Sequence, residues 1–168
     1  MEKHEEIKLR KQLHSKDSFD IIEAINVLRE SGNEIFVPDL ARILCNTDND
    51  EIHSLILKIF DDLKNKNTVS EIVNVLKDKS YEKEKRNLVS SCWKSGLNFS
   101  EELDVFFEIF VNDDFLTAFE AYTVLETNIP DMQPVNAMKH LNYLSKKKNE
   151  ISIDRLELAA ILETMLQD

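Results

Sequence analysis

Glycine is nearly absent from this chain: Gly32 and Gly96 are the whole supply, and only three prolines accompany them. That leaves little material for β-turns, and two isolated glycines cannot build the loops that cradle phosphate in P-loop or dinucleotide-binding proteins. Cysteine is equally scarce. Cys45 and Cys92 each sit in an apolar stretch and form no C-x-x-C spacing, so they read as buried, reduced thiols of a cytosolic protein. No apolar run approaches the ~20 residues that span a bilayer. The opening segment "MEKHEEIKLRKQLHSKD" is charged throughout, has no apolar core and is not a secretory signal, so a cytoplasmic protein is expected. The four histidines (His4, His14, His53, His140) are scattered, without the spacing of a zinc site, so no metal or other cofactor is expected.

The most informative absence concerns charge. After Lys94 the next basic residue is Lys139, and between them lie Glu101, Glu102, Asp104, Glu108, Asp113, Asp114, Glu120, Glu126 and Asp131. Neutralising phosphates takes Lys and Arg, so nucleic acid and anionic membranes are poor partners for such a surface. A basic protein suits it; equally, the acids can serve solubility alone.

What is present is a pattern. The chain is 168 residues long, enough to bury roughly 70% of its unfolded surface, and its apolar content is ordinary. "VPDLARIL" from Val37 is echoed by "VSEIVNVL" from Val69, by "FSEELDVF" from Phe99 and loosely by the stretch from Val135, at intervals of 32, 30 and 36 residues. Apolar residues recur at matching offsets on one helix face: Leu40, Ile43 and Leu44, then Ile72, Val75 and Leu76, then Leu103, Val105 and Phe106, and finally Met138 and Leu141. Between these short phrases run longer helical stretches, beginning "DSFDIIEAINVL", "DNDEIHSLILKIF", "SYEKEKRNLVSSCW" and "DDFLTAFEAYTVL". The chain thus alternates a longer helix with a shorter one. Gly32 and Gly96 follow longer helices, where a left-handed cap favours glycine, and Pro38 stands just inside a shorter one. Thr68 with Glu71 and Asp48 with Glu51 have capping-box spacing.

Helical pairs of thirty-odd residues, an acidic turn such as "DND" and a glycine after the helix resemble HEAT-type repeats of the armadillo-like superfamily, over about residues 17–148. The family often carries a Val-Arg pair after the acidic turn; Ile52-His53 and Lys85-Arg86 stand there, so only Arg86 matches the basic position. The resemblance implies a right-handed α-solenoid whose shorter helices line a concave face, most often one that binds proteins. Some such proteins are DNA-repair glycosylases or lyases, but that chemistry relies on a basic, aromatic groove, against which the acidic stretch argues. The expected fold is all-α: a single domain of about four HEAT-like pairs, with a charged N-terminal cap segment over 1–16. The amphipathic stretch 151–167, with Leu156, Ala159, Ala160, Leu162 and Leu166, either caps the end or docks on a partner or second copy.

Chemistry is hard to find. "DNDEIHSLILKIF" opens like a calcium loop but lacks its glycine and its terminal acid. Cys92 has Trp93 beside it and Arg86 two turns back, the setting of a packed thiol and not of a nucleophile. A recognition surface remains. On the shorter helices the polar offsets give Asp39, Glu71 and Glu101 in one row and Arg42, Asn74 and Asp104 in another, with Glu108 extending the acids and His140 in the matching place of the last copy. The helix from Leu103 is apolar around most of its circumference; Val105 and Ile109 are either buried or an open anchor site. The expectation is a non-catalytic module that binds a basic protein through these residues. A narrower alternative is an immunity-type inhibitor of a toxin or enzyme. A rival of another class is an enzyme or ligand-binding regulator whose site is assembled from several repeats.

Overall fold

A computed structural model describes residues 3–31 and 34–167. Among the described residues there is no β-strand, and ten α-helices are joined by turns and four short 3-10 segments. Packing divides the chain into two compact units, Met1–Leu97 and Asn98–Asp168.

The first unit holds α1 (Lys3–Leu13), α2 (Ser18–Ser31), α3 (Val37–Asn46), α4 (Asp50–Asp61), α5 (Thr68–Lys77) and α6 (Lys85–Ser95). The longer helix α4 lies between α2 and α6, the shorter helices α3 and α5 lie against each other, and α1 closes on α2 and α3. The best-packed consecutive pairs are α1 with α2, α3 with α4 and α5 with α6. The pattern of longer-then-shorter pairs therefore runs out of phase with the packing, in which a shorter helix pairs with the longer one after it. Between α3 and α4 the reason is a turn of only three residues, which folds them directly onto each other.

Local chemistry sets the helix ends. Pro38 occupies the first turn of α3, where its missing N–H leaves no bond unmade. α6 ends at Gly96, whose φ of 68° is the left-handed cap expected there. Gly32 lies outside the described residues. Two caps differ from expectation. Asn49, not Asp48, starts α4, its side-chain oxygen accepting the N–H groups of Glu51 at 2.9 Å and Ile52 at 3.2 Å. Thr68 is itself the first residue of α5 and donates its hydroxyl to the Asn65 carbonyl at 2.6 Å, so it is no capping-box residue. In α6, Leu88, Val89 and Cys92 are buried and Trp93 is exposed; Ser90, Ser91 and Ser95 also turn inward, and Ser91 donates to Asp61 of α4 at 2.5 Å.

The second unit holds α7 (Leu103–Asn112), α8 (Phe115–Asn128), α9 (Pro134–Lys147) and α10 (Leu156–Met165). A two-residue turn folds α8 onto α7, with the Asp114 carboxylate capping α8 by accepting from the N–H groups of Leu116 and Thr117. α9 packs on α7, and α10 on α8 and α9. Phe99, Phe106, Phe107 and Phe110 are fully buried, and Phe99 meets Phe106 edge-on at 5.3 Å. Each such ring contributes about 1.5–3 kcal/mol by leaving water. Val105 and Ile109 are buried too, so α7 has no open apolar anchor. Arg155 is buried and donates to the carbonyls of Phe110 at 2.6 Å and Asp113 at 2.9 Å, satisfying the C-terminal end of α7.

Two apolar assignments in this unit are overturned. Val135 and Met138, the repeat residues of α9, are 79% and 63% exposed; α9 turns His140 and Leu144 inward instead. α10 buries Ala159 and Leu162, and Leu166 just after it is buried too, as expected, but Leu156 and Ala160 are left in solvent.

Candidate functional site

Because α7 buries Leu103, Val105, Phe106, Phe107, Ile109, Phe110 and Val111, the residues it shows to solvent fall on one line, Asp104, Glu108 and Asn112, spaced four apart. Glu101, exposed in the turn ahead, prolongs that line. Beside it lies α9, and between the two helices is a cleft of about 430 Å³. Asp104, Phe107 and Glu108 form one wall; Lys139, His140, Tyr143 and Lys146 form the other.

His140 is 5% exposed and stacks on the Phe107 ring, centroids 4.5 Å apart and planes 18° from parallel. Burial pushes its pKa below the ordinary histidine value; Asp104 pulls the other way and Lys139 adds to the lowering. Its Nδ1 is 3.6 Å from the Asp104 carboxylate, too far for a hydrogen bond. Tyr143 is pushed up, first by burial and then by Glu108, against a hydrogen bond with the Asn112 side chain. Both rings are thus neutral near pH 7, and the charges stand at the rim. Lys139 is paired with Asp104, yet both side chains are more than half exposed, so the pair is worth about 0–1 kcal/mol and a competing cation can replace it.

Asp104, Glu108 and His140 therefore share one cleft, with His140 in its wall and not exposed. The other expected residues lie elsewhere. Glu71 is half-buried and Asn74 exposed on α5. Asp39, with 12% of its side chain exposed, is engaged on α3: Arg10 donates to it, Arg42 reaches it at 3.5 Å and His14 lies 3.7 Å away. Arg10 also donates to the Ile35 carbonyl at 3.2 Å and lies over the Phe36 ring at 5.1 Å. Asp39 thus ties α1 to α3. Its neighbour Arg42 lines a shallower depression of about 490 Å³ together with His14, Ser18, Asn46 and Asn49. Lys139, Tyr143 and Lys146 escaped the sequence reading, although their spacing of four and three residues puts them on one face of α9.

Both cysteines are buried. Cys92 is buried, its thiol pushed far up by desolvation and donating to the Leu88 carbonyl, and burial raises Cys45 as well. Glu84, buried in the first unit, is held by His53 at 3.2 Å and by the Asn87 amide at 2.7 Å, a closed structural group. Among the described residues, no three His, Cys, Asp or Glu side chains are grouped to hold a metal ion, and no helix is long and apolar enough to cross a membrane. No protein-family model matches the chain, and no curated protein is significantly similar to it in sequence.

Proposed function

We propose that the chain is a non-catalytic protein-binding module that takes a basic protein partner on the α7 ridge of Glu101, Asp104 and Glu108, the cleft beside α9 receiving a partner side chain. One observation carries the reading. Residues 98–168 contain fourteen acidic and five basic residues, a balance of −9, whereas residues 1–97 contain eighteen and sixteen, a balance of −2. Nearly all the net charge thus falls in one unit, and solubility alone does not call for that asymmetry. Of the five basic residues, four are lysines at 139–148 and the fifth, Arg155, is turned inward. Such a field steers encounter with a basic protein, disfavours acidic ones and gives no grip on phosphate.

For the first unit we infer the stacking of a short HEAT-like solenoid. Contact of α4 with both α2 and α6, and of α3 with α5, supports it. The protein is read as cytoplasmic. A second reading has its own observation: the cleft holds carboxylates on one wall and ammonium groups on the other, a setting for a small zwitterion.

Affinity capture from a lysate of the source cells, at low and moderate salt, separates the two. With Glu101→Lys/Asp104→Lys protein as control, a basic protein kept by wild type and released by the variant, the difference being larger at low salt, is the expected outcome. Equal retention by both proteins removes the ridge from the account. No retained protein moves the weight to a small ligand.

A further inference from the structure

We propose that the first two turns of α8 are a docking surface for a basic, amphipathic helix of a partner protein, separate from the α7 ridge and resting on a different observation. α8 buries one face completely, with Ala118, Ala121, Val124 and Leu125 turned into the unit. On the other side Phe115, Leu116 and Phe119 remain 41%, 54% and 46% exposed. They are not scattered. Phe115 and Phe119 have ring centroids 6.3 Å apart, and Phe119 continues to Tyr122 at 6.2 Å, so the rings form one ridge along the helix. Tyr122 is itself buried, so the exposed part of the ridge runs from Phe115 to Phe119, roughly 6 Å, the length over which a helix lying alongside presents one or two apolar anchors. Large apolar side chains grouped on a surface mark interaction sites far more often than single ones do.

Charge decides what covers the ridge. Neither α7 nor α8 contains a Lys or Arg, and α10, which packs on α8, contains none either. Arg155, just ahead of α10, points its guanidinium inward to the carbonyls of Phe110 and Asp113. Acids border the ridge instead: Asp114 directly before Phe115, Glu120 one turn beyond Leu116, and Glu126 accepting from the Tyr122 hydroxyl at 3.0 Å. A second copy of the chain would set one unit of net charge −9 against another. An anionic lipid surface or an acidic helix meets the same repulsion. A helix with leucine-like residues on one face and Lys or Arg flanking them satisfies both the apolar ridge and its acidic border.

The test uses the full chain and a fluorescein-labelled leucine/lysine amphipathic peptide, with a leucine/glutamate peptide of identical pattern as control, read by fluorescence anisotropy. Wild type should bind the lysine peptide and not the glutamate one. Phe115→Ser/Phe119→Ser should bind it at least about tenfold more weakly, with helicity unchanged. Leu116→Lys, at the most exposed of the three positions, should weaken it in the same direction and covers the case in which the double variant misfolds. Asp48→Lys, an exposed acid of the first unit, should keep the binding, which separates this surface from a general effect of charge. Undiminished binding by the Phe115/Phe119 and Leu116 variants, or equal binding of the glutamate peptide, overturns the proposal. So does sedimentation showing a wild-type dimer that Phe115→Ser/Phe119→Ser dissociates, which would make a second copy the occupant.

Discussion

Replacing Arg155 with methionine keeps the unbranched stem and its apolar volume while removing every donor. In the native protein the guanidinium gives hydrogen bonds to the Phe110 carbonyl at 2.6 Å, the Asp113 carbonyl at 2.9 Å and the Ser152 hydroxyl at 2.9 Å. A hydrogen bond from a charged donor contributes about 1.5–3 kcal/mol net, so three of them set an upper range near 5–9 kcal/mol. Against that stands the cost of keeping a guanidinium out of water, several kcal/mol, which the variant no longer bears. Carbonyls left without a donor cost about 1–3 kcal/mol each, less where water reaches them. The balance is a loss of about 2–4 kcal/mol for Arg155→Met. At roughly 2–4 °C per kcal/mol for a chain of this size, the melting temperature falls by about 5–15 °C. Urea unfolding followed by far-ultraviolet circular dichroism measures the loss directly. Arg155→Lys should recover part of it, since one ammonium can serve one carbonyl but not the fork. A change under about 0.5 kcal/mol for Arg155→Met would refute the assignment of Arg155 as the C-terminal cap of α7.

Four other positions test the same structure. His140 has a folded pKa below its ordinary value of about 6.5, so between the two the unfolded chain binds a proton that the native state does not. Stability is then full above about pH 6.5 and is lost as pH falls below it; His140→Phe should flatten that slope in urea midpoints taken from pH 7.5 to about 5. Gly96→Ala places a side chain at φ 68° with no atom within 4 Å of the added carbon, so the cost is backbone strain alone, about 1–2 kcal/mol in a melt, with Gly96→Asn costing less. Phe106→Ala empties the middle of the phenylalanine cluster and should cost about 3–5 kcal/mol by urea titration, whereas Lys139→Ala should change stability by less than about 1 kcal/mol.

The helices were legible in the sequence because their cause is local. Period-3.6 apolar residues, Pro38 at a start and Gly96 at an end act within a few residues of themselves, and α7 announces its deep burial by being apolar on nearly every side. Pairing was less legible. Periodicity gives each helix a buried face but does not say which neighbour that face meets, so the packing phase of shorter-then-longer pairs was not apparent. α9 shows the limit most clearly. Val135 and Met138 match the repeat offsets, yet the face that α9 turns inward is the one carrying His140 and Leu144, because stacking on Phe107 gives His140 a place in the unit. Buried charge left no periodic trace either: Arg155 and Glu84 look like any surface residue until Phe110, Asp113, His53 and Asn87 come into range. Of the candidate site, the α7 ridge followed from one helix and its spacing. The opposite wall needed the contact of α7 with α9, which no single helix encodes.

Carboxyl footprinting of the complex with a captured basic partner, by carbodiimide labelling and mass spectrometry, tests the central claim most directly. In the free protein Glu101, Asp104 and Glu108 are exposed and should label readily. The account predicts that these three become protected in the complex while Asp48 and Asp50 in the first unit label as before. Unchanged labelling of the ridge, with protection appearing on the first unit instead, would contradict it.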